Sequence, residues 1–151
     1  METEEDFKQW QEHVKNTKPI QLDPKKRAFE CFKVAAEADV TEAAYKLGDM
    51  YKHGTGCTEN AAEAFKWYAR AANLCEQQDE VPVIAGSVAL RLADCFEEGF
   101  GCTQGFKDAL KWYKQAVLGL DVAVRAGERW YSKALRGARD GAARCKQELG
   151  L

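Results

Sequence analysis

The chain has 151 residues, of which 46% are hydrophobic and 30% charged, and its formal net charge is −2. That length suits one domain, the composition excludes a disordered chain, and the charge offers no electrostatic footprint for a nucleic-acid backbone. No apolar run approaches the ~18–20 residues that span a bilayer, no signal segment is recognisable, and abundant Ala, Lys, Glu and Leu beside only two Ile favour helix over sheet.

In chain order, Phe7, Trp10 and Val14 stand at helical spacing, which predicts an N-terminal capping helix and loop over 4–22, laid over the adjoining half-unit. Asp23 before Pro24 is a helix start. Residues 23–40 read as half of a helical hairpin, with Ala28, Phe32 and Ala35 on one face. Over 41–80 a first helix carries Ala44, Leu47, Met50 and Tyr51 on one side. Gly54 and Gly56 stop it, because glycine takes positive φ without steric cost, and a second helix buries Ala64, Trp67, Tyr68 and Ala71. A short polar loop is expected at Gln77–Glu80. Pro82 then opens a first helix lengthened backward, with Val81, Ile84, Val88 and Leu92 in one stripe.

The unit over 81–120 ends in a long helix, 106–126, with Ala109, Trp112, Tyr113, Ala116, Leu120 and Ala123 inward. Gly127 and Glu128 make a turn. Trp130, Ala134, Ala138, Ala142, Cys145 and Leu149 then form the stripe of a C-terminal capping helix within 121–151, basic outside at Arg136, Arg139, Arg144 and Lys146. The expectation is one domain, 1–151, complete and capped at both ends.

Residues 43–72 and 88–117 align without a gap at an offset of 45, with twelve of thirty positions identical. The shared positions include Leu47/Leu92, Asp49/Asp94, Gly54/Gly99, Gly56/Gly101, Ala64/Ala109, Trp67/Trp112, Tyr68/Tyr113 and Ala71/Ala116. The half-unit at 23–36 matches the second half of each block at an offset of 36. The pattern A-x-x-L-G-x-x-Y-x-x-G-x-G…A-x-x-W-Y-x-x-A-A resembles the Sel1-like repeat family, a relative of tetratricopeptide repeats, over roughly residues 23–120. Ala93 departs from it at the glycine after the leucine, Cys57 and Cys102 stand where an aliphatic is commoner, and Asp39 replaces the glycine leaving a helix. The resemblance implies an all-α fold, a right-handed α/α superhelix (solenoid) of helix hairpins, and a protein–protein interaction module.

Reactive chemistry has weak support. The six cysteines, Cys31, Cys57, Cys75, Cys95, Cys102 and Cys145, form no Cys-x-x-Cys or Cys/His cluster at zinc spacing. Their places do not recur as one pair per unit, so they read as free thiols filling core space. His53, beside the glycine loop, suits a helix C-terminus better than a catalytic base. Gly54-Thr55-Gly56 and Gly99-Phe100-Gly101 follow no strand and lack the Lys-Ser/Thr of a phosphate loop. No catalytic residue, metal or cofactor is expected.

What remains is surface. Stacked hairpins present a concave face, and the first-helix positions turned from the core are Tyr45, Lys46 and Asp49 in one unit and Arg91, Asp94 and Glu97 in the next. Their mixed charges suit a polar or charged peptide or protein segment, with no nucleic-acid or membrane partner. The chain reads as cytoplasmic and monomeric with at most weak self-association. A structural, self-associating repeat is the alternative, requiring an exposed apolar patch; a small enzyme or ligand carrier would require a deep polar pocket.

Overall fold

A computed structural model describes residues 3–16 and 23–151, all helices and connections with no strand among them. The helices are α1 (Glu4–Asn16), α2 (Pro24–Glu37), α3 (Thr41–His53), α4 (Ala61–Gln78), α5 (Pro82–Glu98), α6 (Phe106–Arg125) and α7 (Ser132–Glu148), with a 3-10 turn at Arg129–Tyr131 before α7. From α2 onward each helix packs on the next, which is the layer order of an α/α solenoid. The loop expected over 17–22 lies outside the described residues.

Local chemistry sets the boundaries. Asp23 accepts from the Lys25 amide ahead of Pro24, and Asn60 accepts from the Glu63 amide at the start of α4. Helices α3 and α5 end on Gly54 (φ 65°) and Gly99 (φ 72°) in the left-handed conformation, where a Cβ is penalised. Asp39 and Asp79 take the same conformation at φ 64° and 49°, so the exchange of glycine for Asp39 is absorbed. The polar loop is shorter than expected. Gln77 and Gln78 stay in α4 and only three residues lead to Pro82, so the insertion lengthens helices on both sides of the turn.

The second glycine of each loop meets the unit before it. A Cβ on Gly56 would stand 2.1 Å from the Lys25 carbonyl oxygen, and one on Gly101 2.2 Å from that of Ala61. Each loop is therefore seated on the first turn of the preceding second helix, at matching places in the repeat. Edge-to-face rings follow the same register: Phe29 meets Tyr51 at 5.3 Å between centroids, and Phe65 meets Phe96 at 5.6 Å. Such pairs contribute about 0.5–1.5 kcal/mol beyond area burial.

Within a hairpin, Tyr68 fills the space left by Gly48, whose added Cβ would lie 2.5 Å from the ring. The next unit has Ala93 in that place, yet Tyr113 is equally buried. Its room comes from α7, where a Cβ on Gly141 would lie 2.4 Å from the Tyr113 ring. Helices α5 and α6 cross closely at Gly86 and Gly119, where a Cβ on Gly119 would stand 2.3 Å from the Pro82 carbonyl oxygen.

Three expectations need correction. Trp67 and Trp112 are only partly covered while their neighbours Tyr68 and Tyr113 are buried, because adjacent helical residues point about 100° apart and the tyrosine faces the first helix. The C-terminal stripe is offset: Leu135, Ala138, Gly141 and Cys145 are buried, whereas Trp130 is 72% exposed. Trp130 lies in the 3-10 turn, so the α-helical period starts after it. The Phe7, Trp10 and Val14 stripe of α1 is 55, 60 and 50% exposed, and α1 carries no buried residue, so the stripe is not packed against the half-unit in this arrangement.

Gly119→Ala should destabilise the fold by about 1–3 kcal/mol despite better helix propensity, since backbone must move. Gly137→Ala, on α7 with nothing within 4 Å of the added Cβ, should gain up to ~1 kcal/mol. Urea unfolding of the two variants checks both signs.

Candidate functional site

The six first-helix positions lie on α3 and α5, and most are engaged in joining units. Asp49 sits between three groups. It accepts from the Tyr68 hydroxyl at 2.6 Å and, through both oxygens, from Arg91 Nε at 2.7 Å and an Arg91 terminal nitrogen at 2.8 Å. Arg91 also donates to the Ser87 carbonyl at 2.9 Å and lies 4.5 Å over the ring of Tyr45, which is buried beneath it and belongs to the core, not to the outward face expected of it. One carboxylate thus ties α3, α4 and α5. The Arg91 and Asp49 side chains are 29% and 31% exposed, so the forked pair is better shielded than the open surface pairs worth ~0–1 kcal/mol. Burial and the adjacent Asp49 carboxylate push the Tyr68 phenol well up. It stays a neutral donor.

The next unit repeats half of this. Asp94 accepts from the Tyr113 hydroxyl at 2.6 Å, while the link onward passes through Glu97, which accepts from Arg144 at 2.9 Å and 3.4 Å and from the Cys145 thiol at 3.6 Å. Burial alone would raise the Glu97 pKa, but hydrogen bonding and charge from Arg144 outweigh it and hold it below its ordinary value. Lys46 pairs with Glu42 on its own helix at 2.8 Å, both about half exposed. Tyr45, Asp49, Arg91, Asp94 and Glu97 are therefore spoken for within the chain, and Lys46 is the most open of the set. Sequence periodicity shows which face a residue takes. It does not show that Asp49 reaches Arg91 rather than Lys46, since the bridging distance depends on how two units stack.

Open space is shallow. The largest grooves include one of about 620 Å³ along α4, lined by Phe65, Lys66, Trp67, Ala69, Arg70 and Asn73. Among the described residues no buried side-chain polar atom lacks a partner and no group of three His, Cys, Asp or Glu could hold a metal. Cys95 and Cys145 are buried, but Cys31 is exposed and is not the core filler expected of it. Burial pushes the Cys95 thiol up to about 12 and those of Cys75 and Cys145 up to about 11, so these stay protonated and weakly nucleophilic at neutral pH. No helix of the described chain is long and apolar enough to cross a membrane.

A stack of helix hairpins, each seated by a glycine loop and bridged by first-helix polar residues, defines a repeat solenoid. The chain belongs to the Sel1 repeat family, whose profile matches residues 19–40, 41–74 and 87–119. A Sel1 repeat protein from Oxalobacter formigenes is 28% identical with a TM-score of 0.53, over 66% of this chain and 40% of that one. A protective antigen present in uropathogenic Escherichia coli strains, displaying an SLR fold, is 18% identical with a TM-score of 0.52, over 81% of this chain and 26% of that one. The Saccharomyces cerevisiae chitin synthase regulator SKT5 is 44% identical over 45 residues, 30% of this chain and 6% of that protein. The chain thus spans well under half the length of each.

Because Glu97 has its pKa lowered in the folded state, its contribution is present above the ordinary glutamate range (~4.3) and is lost as pH falls through the lower folded value. Wild type should be more stable than Glu97→Gln at pH 7, with the difference shrinking toward zero below about pH 4; denaturant titrations at several pH values test this.

Proposed function

We propose that the protein is a non-enzymatic interaction module, an adaptor that takes a polar or charged peptide or protein segment along the face built by α3, α5 and α7. The observation that carries this reading is the recurrence of polar first-helix positions, Lys46 with Arg91 and Asp49 with Asp94, on one face of a Sel1 repeat solenoid. Four of the six positions, Tyr45, Asp49, Arg91 and Glu97, double as bridges between units, and Asp94 is bonded within its own hairpin, so the ligand meets a pre-ordered surface whose side chains lose little freedom on binding. Lys46 and the rims of the Arg91 and Arg144 guanidiniums supply positive points, and Glu97 a negative one. The name of the yeast relative, a regulator of a synthase, fits a non-catalytic role for the shared segment. Residence in the cytoplasm fits six unbridged cysteines, since a reducing compartment keeps thiols free.

The test is capture of partners from the native host on immobilised protein, read by mass spectrometry. Lys46→Glu combined with the exchange Glu97→Arg/Arg144→Glu inverts the charge at position 46 and the polarity of the 97–144 couple while retaining a bridge, and should lower capture about tenfold with the melting temperature little changed. Lys66→Glu, exposed on α4, should leave capture intact. Equal capture by all three proteins would contradict the reading.

A further inference from the structure

Helix α2 is a second helix with no first helix beside it. In the next unit the matching positions Ala64, Tyr68 and Ala71 are 0, 1 and 0% exposed. On α2, Ala28, Phe32 and Ala35 stay partly open, and with Val40, Ala43 and Lys46 they line a trough of about 400 Å³. Lys46 is the register mate of Arg91. Arg91 reaches back to the first helix of the preceding unit and grips Asp49 there; Lys46 stands at the edge of the trough, held by Glu42 in an i,i+4 pair of a kind worth only a few tenths of a kcal/mol.

The N-terminal helix carries the complementary pattern. At an offset of 37, Phe7, Trp10 and Val14 take the places of Ala44, Leu47 and Tyr51, and Glu12 takes that of Asp49. Seven residues, 17–23, join α1 to α2, as seven, 54–60, join α3 to α4.

We propose that the trough is a docking seat for α1 of the same chain, which closes onto α2 and α3 as a substitute first helix. Its Phe7, Trp10 and Val14 stripe covers Phe32 and Ala35, and Glu12 displaces Glu42 from Lys46. The fit is loose by construction. Gly48 is bare because Tyr68 lies against it, whereas Gln11 occupies that place on α1 and Phe7 the place of Ala44, so α1 cannot approach as closely as α3 approaches α4. The docked state is therefore exchangeable with the open arrangement seen here, and α1 acts as a tethered occupant that a better-fitting helix would displace. A short tether gives a high effective concentration, which offsets the poor packing. This inference does not rest on the adaptor reading.

The test is a disulfide trap in the full-length protein. Gly48 lies against the Ala64 carbonyl, its added Cβ 3.2 Å from the oxygen, so the matching pair is Gln11→Cys with Ala28→Cys. Under mild oxidation of dilute protein, mass spectrometry should find an intramolecular link between positions 11 and 28. Its yield should fall several-fold with Glu12→Lys and recover when Lys46→Glu is added. Moving the first cysteine to the opposite side, Gln9→Cys, should abolish it. Absence of the link, a link formed only between two chains, equal linking from Gln9→Cys, or a yield indifferent to Glu12→Lys would each overturn the proposal.

Discussion

The contact on which the rest depends is a glycine without a side chain pressed against a backbone carbonyl. Gly56 on Lys25 and Gly101 on Ala61 hold each hairpin at a fixed height on the one before. That seating sets the Phe29–Tyr51 and Phe65–Phe96 ring pairs and the reach of Arg91 to Asp49. A side chain at Gly56 would push the first hairpin off α2 and break the Phe29–Tyr51 pair, and one at Gly101 would break the Phe65–Phe96 pair and the Arg91–Asp49 bridge together. Gly54 and Gly99 are different: they are needed for their left-handed backbone, and an added Cβ there comes no nearer than 3.4 Å at Gly54 and a slightly tight 3.3 Å, to the Gln104 side chain, at Gly99.

Packing inside the hairpins varies more than packing between them. Tyr68 relies on Gly48 of its own unit, while Tyr113 relies on Gly141 of the following helix, which frees position 93 to be alanine. A departure from the repeat pattern at one site is thus matched by a glycine forty-eight residues later in the chain. The polar couples show the same economy: a tyrosine–aspartate bond recurs in both units at 2.6 Å, but the arginine that completes the bridge comes from Arg91 in one case, and in the other the link shifts to Glu97 and Arg144.

Much of this was legible in the sequence. The hairpin boundaries follow from Gly54, Gly99, Asp23 and Pro82, each of which acts through its own backbone geometry and needs no tertiary context. The buried Ala64, Tyr68, Ala109 and Tyr113 follow from helical period. What escaped were features set by two units together: the half-open tryptophans, the role of Gly86, Gly119 and Gly141, and the bridging of Asp49 to Arg91. A signal existed for the glycines, since glycine inside a helix costs ~1 kcal/mol against alanine and is retained for a reason. Phe29 and Phe65 also match at the offset of 36, a repeat of the inter-unit ring that periodicity within one helix does not reveal. The stripe of α1 was legible as amphipathic, but its place relative to α2 depends on a fit that Phe7 and Gln11 make poor.

If the loop glycine is the joint between units, native-state hydrogen exchange on Gly101→Ala beside Gly99→Ala tests it most directly. Both variants carry the strain of a left-handed alanine, about 1–2 kcal/mol, but only Gly101→Ala presses on the preceding unit. Gly101→Ala should split the molecule into two exchanging blocks, α2–α4 retaining protection while α5–α7 opens at lower free energy, whereas Gly99→Ala should lower protection mildly without such a division. Identical, uniform loss in the two variants would contradict it.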